Sequence, residues 1–383
     1  MKISALDLKK QIAPIRRELD LAIKGVIDDT GFILGPGVGK FEKDIAKYCA
    51  AKYAVGVSNG TDALSLSLLA LGIKSGEGVI CPAFTYYATA GAIAAIGARP
   101  VFADIDKETY NISIESVEKI LLKQHKFKLK AVIPVHLYGQ CADMSGILRL
   151  ARKYKLRVIE DAAQSFGAEY RGKKAGTLGD CGAVSFYPAK NLGAFGDAGA
   201  VLTNNRAVNE KLRILRNQGN KNQYFHSLLG RNNRMDTFQA VVLGVKLKYL
   251  DAWNKQRQEV AGYFNKHLSY LAVKLPFTAP YSTHIYHQYV LRVPGSNKGL
   301  LGYLRAKGID SRVFYPLPLH LQKCFKYLGY KKGDFPEAEK ASRQTLTLPI
   351  DPNLTGEEKD YIIQQVRDGS QVKAKLSPKR GHL

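Results

Sequence analysis

Residues 185–200 read SFYPAKNLGAFGDAGA, in which a short apolar strand ends at Ser185 and a glycine-rich loop carries Lys190. Lysine is the side chain that condenses with an aldehyde cofactor, and burial lowers the pKa of its amine enough to make it nucleophilic. Glycines allow the backbone to approach a flat ring closely. A loop lysine in a basic chain is more often simply solvated, so the neighbouring sequence must decide the role of Lys190.

The sequence on both sides of this stretch alternates short β-branched runs with helical patterns. The predicted strands cover residues 53–57, 78–80, 100–103, 131–135, 156–159, 182–185 and 199–203. Helical patterns separate several of them, at residues 61–71, 87–96, 114–122 and 145–154. This alternation predicts an α/β fold with a largely parallel sheet that helices cover on both faces. Because ligands bind outside the carboxyl ends of such strands, the residues just after each run are the candidate site.

The chain after residue 204 has a different pattern. Helices are predicted at residues 207–217 and 236–268, then strands at 286–293 and 310–314 and helices at 299–307 and 337–346. We therefore predict a large domain over residues 1–254, whose first fifty residues form an arm and a glycine-rich turn. A smaller α+β domain is predicted over residues 255–370, and residues 371–383 are predicted to be a basic, disordered tail.

The composition is that of a globular protein, with 383 residues of which 45% are hydrophobic and 23% charged. No apolar run reaches the roughly 18 to 20 residues that span a bilayer, and the N-terminal sequence lacks a secretory signal pattern. We therefore expect a cytoplasmic protein with no membrane partner. The five cysteines are scattered and form no CxxC pair, which favours reduced thiols over disulfides or a metal site.

The formal net charge of +24 is the unusual bulk property. Clustered lysine and arginine bind nucleic acid, but here the basic residues are spread along the whole chain without a recognition-helix or zinc-finger pattern. The charge therefore favours a basic surface that attracts anionic substrates, and no nucleic-acid partner.

A second stretch, residues 158–167, reads VIEDAAQSFG and places acids at the end of a predicted buried strand. A carboxylate there can pair with a protonated pyridine nitrogen and keep the ring electron-withdrawing. Asp161 fits this role, and Glu160, which points to the opposite face if the strand continues, is the alternative. Asp161 is also a candidate for a plain helix N-cap.

Two further stretches end predicted strands at the same edge. Residues 57–64 read VSNGTDAL, where a helix that begins near Thr61 offers free N–H groups to a phosphate, with Ser185 as a further hydroxyl. Residues 82–89 read PAFTYYAT, in which Tyr86 can stack on a flat ring or simply pack in the core.

Together these four stretches resemble the DegT/DnrJ/EryC1/StrS family of nucleotide-sugar aminotransferases, which use pyridoxal phosphate (PLP). The resemblance extends from about residue 6 to residue 352 and includes GRNNRMD at residues 230–236. It implies the fold type I aminotransferase architecture, a large domain with a mostly parallel mixed sheet and a smaller C-terminal α+β domain.

Carried over by position, the resemblance implies that Lys190 forms the Schiff base with PLP and that Asp161 contacts the pyridine nitrogen. It places Gln164 near the phenolic oxygen and Tyr86 over the ring face. The implied phosphate-binding residues are Gly60, Thr61, Asp62 and Ser185, together with Asn232 of a neighbouring subunit. The family therefore implies a homodimer with shared active sites. Residues near the sugar nucleotide are implied in the segment 31–35, with Phe32 and Gly35, and at Arg234, Tyr315 and His320.

Some relatives in this family are dehydratases that have histidine where the aminotransferases have lysine, so Lys190 favours amino transfer. The implied reaction moves the amino group of L-glutamate to a nucleotide-linked keto-sugar, with pyridoxamine phosphate (PMP) as the intermediate cofactor form. The motifs most resemble enzymes that aminate C3 of a UDP-2-acetamido-3-keto-hexose for lipopolysaccharide or other surface glycans.

Amination at C4 and amination of dTDP-linked 3-keto-6-deoxy sugars are the alternatives within the family. Outside it, the alternatives are a non-catalytic PLP-binding regulator and a nicotinamide enzyme. The latter lacks the expected GxGxxG after the first strand.

Overall fold

A seven-stranded sheet forms the centre of the structure, a computed structural model that describes residues 1–222 and 224–376. Its strands are β1 Tyr53–Val57, β2 Gly78–Pro82, β3 Arg99–Ala103, β4 Leu129–Val132, β5 Arg157–Asp161, β6 Cys181–Ser185 and β7 Gly199–Thr203. Their spatial order is β1-β7-β6-β5-β4-β2-β3. The β7 strand is antiparallel to both neighbours, and the other adjacent strands pair in parallel. The predicted mostly parallel mixed sheet is confirmed.

Helices cover both faces of this sheet and continue through the C-terminal part. They are α1 Leu8–Ile12, α2 Arg16–Asp29, α3 Pro36–Cys49, α4 Gly60–Ala70, α5 Tyr87–Ala95, α6 Ile114–Leu122, α7 Met144–Tyr154, α8 Arg206–Arg216, α9 Thr237–Leu247, α10 Leu250–Leu268, α11 Lys298–Ala306, α12 Pro336–Gln344 and α13 Gly356–Leu376. None of the described helices combines the length and apolar composition needed to cross a bilayer.

Two hydrophobic clusters lie on opposite faces of the sheet because side chains alternate along each strand. In β2, Val79 and Cys81 belong to one cluster, whereas Ile80 between them belongs to the other. All three side chains are fully buried. Apolar residues on both faces are what a sheet buried between two helical layers requires, and this is why the strands appear in the sequence as continuous apolar runs.

The C-terminal part contains a third hydrophobic cluster around an antiparallel pair, β8 Tyr289–Arg292 and β9 Thr345–Leu348. The predicted strand at 310–314 is reduced to one bridge between Arg312 and Thr347. The predicted helix at 337–346 ends earlier, at Gln344, because the next residues, TLTL, alternate β-branched threonine with leucine as a strand does. The predicted helix at 236–268 is divided into α9 and α10, although no glycine or proline marks the break.

The first fifty residues also differ from the prediction. Helices α1, α2 and α3 occupy most of the segment that was predicted to be an arm and a glycine-rich turn. Pro36 at the first position of α3 starts that helix, and its buried residues Val38, Phe41 and Ile45 follow a helical spacing. The domain boundaries stay predictions. Of the predicted tail, α13 includes residues 371–376, and residues 377–383 lie outside the described residues.

A buried ion pair between α3 and α8 fixes the edge strand β1. The Oε1 atom of Glu42 accepts hydrogen bonds from the Arg216 guanidinium at 2.5 Å and from the backbone N–H of Gly56 at 2.8 Å. Arg216 also donates to the carbonyl of Gly56 at 2.7 Å, and Arg213 donates to the other Glu42 oxygen at 2.9 Å. Because Glu42 and Arg216 are both buried, each depends on the other for compensation of its charge.

The replacement Glu42→Ala is expected to lower the free energy of unfolding by about 3–5 kcal/mol, because it leaves the Arg216 charge buried and unpaired. Urea unfolding measures this as a lower midpoint at an unchanged slope. The matched control is Asp44→Ala on the same helix, which breaks only an exposed pair with Lys40 and should cost less than about 1 kcal/mol. Equal losses of unfolding free energy in the two variants would contradict the stabilising role assigned to the buried Glu42–Arg216 pair.

Candidate active site

The candidate residues come together because four parallel strands end at one edge of the sheet. The carboxyl ends of β1, β6, β5 and β2 share this edge, with Ser185 ending β6 and Asp161 ending β5. The segments after β1 and β2 contain Gly60 and Tyr86. Residues that are far apart in the sequence thus face one region, as the alternation of strands and helices predicted.

Asp161 is buried at this edge with part of its hydrogen-bonding capacity unused. Its Oδ2 accepts from the hydroxyl of Thr89 at 2.8 Å, and its Oδ1 accepts a longer bond from the N–H of Ala163 at 3.3 Å. Burial raises the pKa of the Asp161 carboxyl above its ordinary value, while these two bonds and the charge of Lys190 act in the opposite direction. No helix begins after Asp161, since residues 162–167 form turns, and a helix N-cap is therefore not its role.

Glu160, the alternative acid, lies on the opposite face and is fully engaged. Its carboxylate accepts from the backbone N–H groups of Gly176, Leu178 and Gly179 at 2.7–2.9 Å. The Nε2 atom of His136 lies 2.8 Å from the same carboxylate. Because Nδ1 of His136 accepts from the backbone N–H of Ala142, the proton is on Nε2, which donates to Glu160. Glu160 thus holds the loop before β6, and only Asp161 remains open toward the edge.

Lys190 is half-buried in the loop between β6 and β7. Burial lowers the pKa of its amine to about 8, and the nearby Asp161 carboxylate raises it in part. The backbone N–H of Lys190 donates to the carbonyl of Tyr187 at 2.8 Å. The side chain of Lys246 in α9 donates to the carbonyl of Gly193, so the loop is also held from the α9 side. An amine of this pKa is partly unprotonated near neutral pH and is therefore nucleophilic.

The turn after β1 has the form of an anion site. Asn59 caps α4, since its Oδ1 accepts from the N–H of Asp62 at 2.8 Å. The Asp62 carboxylate accepts in return from Ser58 at 2.5 Å and from Asn59 at 2.8 Å. The first N–H groups of the helix, those of Gly60 and Thr61, have no acceptor within the helix. They form the positive end of the helix dipole, where phosphate binds well.

Gly60 and Ser185 approach too closely for any larger residue at position 60. A Cβ atom built on Gly60 would lie 2.6 Å from the Cβ of Ser185. This contact places the Ser185 hydroxyl beside the first turn of α4, as the sequence predicted. The anion site is therefore next to the segment that carries Lys190.

Three of the predicted residues form a connected group beside Asp161. Gln164 donates to the hydroxyl of Tyr315 at 2.8 Å and accepts from the backbone N–H of Tyr138 at 2.8 Å. The rings of Tyr315 and Tyr86 lie 6.0 Å apart, and Tyr86 is 59% exposed. Tyr86 is thus not a core residue, and its ring is available to cover a ligand.

The other predicted substrate residues occupy different surroundings. Phe32 is exposed and stacks on Phe238 at 5.8 Å, and Gly35 donates to the hydroxyl of Thr237 at 3.2 Å. Arg234 is bridged to Val57 and donates to Asn217 at 3.2 Å.

His320 and Asn232 differ from each other in exposure. The ring of His320 is 2% exposed, packs on Phe335 and lies 3.2 Å from Glu339, and burial lowers its pKa. Asn232 is exposed, and its side chain makes no hydrogen bond within the described residues.

Several residues around Lys190 and Asp161 could not be identified as parts of the site from the sequence. They are Thr89, Asn191, Lys246 and His287. Thr89 and Asn191 lie inside the quoted motifs and only their contacts were unknown. Lys246 and His287 come from distant segments, and no spacing in the sequence links them to Lys190. Chemically, the edge offers a low-pKa amine, a buried carboxylate and an anion site, which together suit an aldehyde that carries a phosphate.

Comparison with known proteins agrees with this arrangement. The family model of the DegT/DnrJ/EryC1/StrS aminotransferase family matches residues 14–367. A pleiotropic regulatory protein of Geobacillus stearothermophilus is 44% identical over 371 residues, 96% of this chain and 98% of that protein. A UDP-N-acetyl-3-dehydro-alpha-D-glucosamine 3-aminotransferase of Acidithiobacillus ferrooxidans is 40% identical, over 95% and 97% of the two chains. A dTDP-3-amino-3,4,6-trideoxy-alpha-D-glucose transaminase of Streptomyces venezuelae is also 40% identical, over 96% of each.

Solved structures show the same fold over nearly the whole chain. DesV of S. venezuelae, in complex with a ketimine intermediate, superposes with a TM-score of 0.93 at 40% identity, covering 97% of this chain and 99% of that one. The protein ntda of Bacillus subtilis, with bound PMP, has a TM-score of 0.88 at 31% identity, covering 97% and 85%. The predicted fold type I architecture is confirmed. The chain belongs to the DegT/DnrJ/EryC1/StrS aminotransferase family.

Proposed function

We propose that this sugar aminotransferase carries its cofactor PLP on Lys190 and moves the amino group of L-glutamate to C3 of a UDP-2-acetamido-3-keto-hexose. The observation that carries the proposal is the pairing of the low-pKa amine of Lys190 with the buried carboxylate of Asp161. The anion site at Gly60 and Ser185 lies at the same edge of the sheet. Structural relatives in the family hold PMP or a ketimine in this fold.

The residues present fit PLP on each side of the ring. From the described residues Asp161 accepts two hydrogen bonds, although a carboxylate offers about four lone-pair positions, so it can also accept from a protonated ring nitrogen. A cation there would also stabilise the charged form of Asp161 and so offset the rise in its pKa that burial causes. The free N–H groups of Gly60 and Thr61 and the hydroxyl of Ser185 would hold the phosphate.

When bound, PLP supplies an aldehyde that condenses with amines and a protonated ring that withdraws electrons from the substrate carbon. Lys190 would hold the cofactor covalently, and its amine, once the amino donor has replaced it, is the base that would move the proton at Cα of the donor. Asp161 would stabilise a positive ring nitrogen, and Tyr86 would cover the ring face. With water, glutamate would give 2-oxoglutarate and leave its amino group on the cofactor, and the same residues would act in reverse on the keto-sugar.

A homodimer with shared sites is part of the proposal. Asn232 is exposed and free of hydrogen bonds within the described residues, so it is available to a phosphate held by another subunit. Apolar side chains just before Asn232 in the sequence are exposed as well, with Tyr224 83%, Phe225 74% and Leu229 98% exposed. Tyr86 and Phe32 at the candidate site are exposed as well. Contact with a second subunit would bury this apolar surface.

The aminated carbon and the nucleotide in this proposal are inferred from the names of the relatives. The relatives of A. ferrooxidans and S. venezuelae are both named for chemistry at position 3 of the sugar, one on UDP and the other on dTDP. Position 3 is thus better supported than position 4. UDP rather than dTDP, L-glutamate as donor, a surface-glycan pathway and a cytoplasmic location stay predictions.

A regulatory protein is the second candidate function, because one relative is named as a pleiotropic regulator and the net charge is +24. Such a protein would bind DNA with an affinity that falls steeply with salt. The paired Lys190 and Asp161 favour the enzyme, since a regulator has no need of a low-pKa amine beside a buried acid.

Borohydride reduction of the purified yellow protein is expected to fix the mass of PLP on the peptide with Lys190. The peptide with Lys246, a second buried lysine whose pKa is lowered to about 8, should stay unlabelled, because no acidic side chain among the described residues pairs with it. Lys190→Ala should lower turnover by at least about 10³-fold, whereas Lys153→Ala on the surface should not change it. Normal turnover in the Lys190→Ala variant would exclude the assigned role.

Asp161→Asn keeps the volume of the side chain and removes its charge. We expect a fall in kcat on the order of 10²-fold or more, with Lys190 still labelled by borohydride. In the cofactor-free protein the pKa of Lys190 should fall below about 8, because the Asp161 charge raises it. Acylation of Lys190 at several pH values measures this shift. Asp180→Asn is the control, because the Asp180 carboxylate contacts Arg157 and Val158 at the first residues of β5, and an equal loss of kcat there would contradict the role assigned to Asp161.

The substrate is tested by the reverse half-reaction with 2-oxoglutarate. A UDP-2-acetamido-3-amino sugar is expected to yield glutamate faster than its 4-amino isomer and faster than a dTDP-3-amino-6-deoxy sugar. The amount of glutamate formed in the first minutes, measured at equal concentrations of the three amino-sugar nucleotides, ranks them as substrates. A faster reaction with the dTDP sugar would replace UDP in the proposal, and a faster reaction with the 4-amino isomer would replace C3.

A further inference from the structure

A buried histidine from the C-terminal part of the chain contacts the residue next to Lys190. The Nδ1 atom of His287 lies 3.1 Å from the Oδ1 atom of Asn191. The amide nitrogen of Asn191 donates to Asn254 at 2.7 Å and to the carbonyl of Ile285 at 3.3 Å. All four residues are buried. Their hydrogen bonds connect the Lys190 loop to α10 and to the segment before β8.

The hydrogen bonds decide which nitrogen of His287 carries the proton. The carbonyl of Ile285 can only accept, and this fixes the amide nitrogen of Asn191 on that side. Its Oδ1 atom therefore faces His287 and can only accept, so the Nδ1 atom of His287 must be protonated. The Nε2 atom then has a lone pair, and within the described residues it has no hydrogen-bond partner.

His287 is surrounded by positive charge and stays neutral. Burial lowers its pKa well below the ordinary value, and the charges of Lys190 and Arg257 lower it further. Because the ring is uncharged at neutral pH, it adds no second cation beside the amine of Lys190. A histidine without charge at this place acts by hydrogen bonding alone.

The backbone around His287 is fixed by the loop that also holds Gln164. Ile285 donates to the carbonyl of Gly139 at 2.9 Å, and Gln288 donates to the carbonyl of Tyr138 at 3.2 Å. A Cβ atom on Gly139, whose φ is +112°, would lie 2.8 Å from the backbone nitrogen of His287. The backbone N–H of Tyr138 in turn donates to Gln164. The backbone that carries the imidazole is thus held in place independently of the Lys190 loop.

We propose that His287 is a positioning residue, which holds Asn191 through its protonated Nδ1 and thereby keeps the amine of Lys190 desolvated and close to Asp161. The proposal depends on the role assigned to Lys190 under the proposed function. Along the loop the exposure falls from Ala189, which is exposed, through half-buried Lys190 to buried Asn191, so a loss of the Asn191 contact would let water reach the amine.

The test compares two substitutions of one ring. His287→Asn keeps an N–H donor where Nδ1 stands, whereas His287→Phe keeps the ring and loses the donor. In the cofactor-free protein, acetic anhydride labels the Lys190 amine in its unprotonated form, and mass spectrometry gives the midpoint pH of labelling. We expect a wild-type midpoint near the pKa of about 8, a midpoint higher by about one pH unit in His287→Phe, and a wild-type midpoint in His287→Asn.

Two further variants separate this role from a general effect on the core. Asn191→Ala breaks the same contact from the loop side and should raise the midpoint as His287→Phe does, which keeps the test decisive if one variant does not fold. His284→Phe is the control, because His284 is also buried but accepts from the backbone N–H of Tyr286 and does not touch Asn191. It should leave the midpoint unchanged.

In the loaded enzyme, His287→Phe is expected to lower kcat for the glutamate half-reaction by about tenfold or more without a change in KM. An unshifted midpoint in folded His287→Phe, or an equal shift in His287→Asn, would overturn the proposal. Failure of the proposed function is distinguishable from these outcomes, since borohydride would then leave Lys190 of the wild-type protein unlabelled.

Discussion

The balance between burial and charge at Lys190 and Asp161 is the constraint on which the rest of the site depends. Burial disfavours both charges, so it lowers the pKa of the amine and raises that of the carboxyl, and the attraction between the two groups acts against both shifts. A balance of this kind holds only if water is kept out and neither group moves. The Glu160 contacts, the Lys246 bond to Gly193 and the Asn191 contact each fix one of the backbone segments involved.

The sheet could be predicted from the sequence because each strand is short, apolar and followed by a helical pattern. What could not be predicted depends on long-range contacts. The division between α9 and α10 has no glycine or proline to mark it, and the Thr345–Leu348 strand forms because β8 is there to pair with it. Helix α3 was missed because glycines around Pro36 resemble a turn, although Pro36 begins a helix.

In the candidate site, too, features that follow from the fold class could be predicted, and features that depend on long-range contacts could not. Asp161, Ser185 and Lys190 could be predicted as candidates because parallel strands bring their carboxyl ends together, and this is a property of the fold class, whereas Gln164 was implied by the family resemblance. The choice between Asp161 and Glu160 needed the structure, which shows the Glu160 carboxylate engaged on the opposite face. His287 is separated from Lys190 by almost a hundred residues of sequence, and only the packing of the C-terminal part onto the loop brings it there.

The contact between Gly60 and Ser185 restricts how such a chain can diverge. A side chain at position 60 would collide with the Cβ of Ser185, so the first change tolerated at this pair has to remove atoms at position 185. That change would also remove the hydroxyl beside the start of α4. Descendants that keep an anion at this place are therefore confined to glycine at position 60, whatever sugar or nucleotide they come to accept.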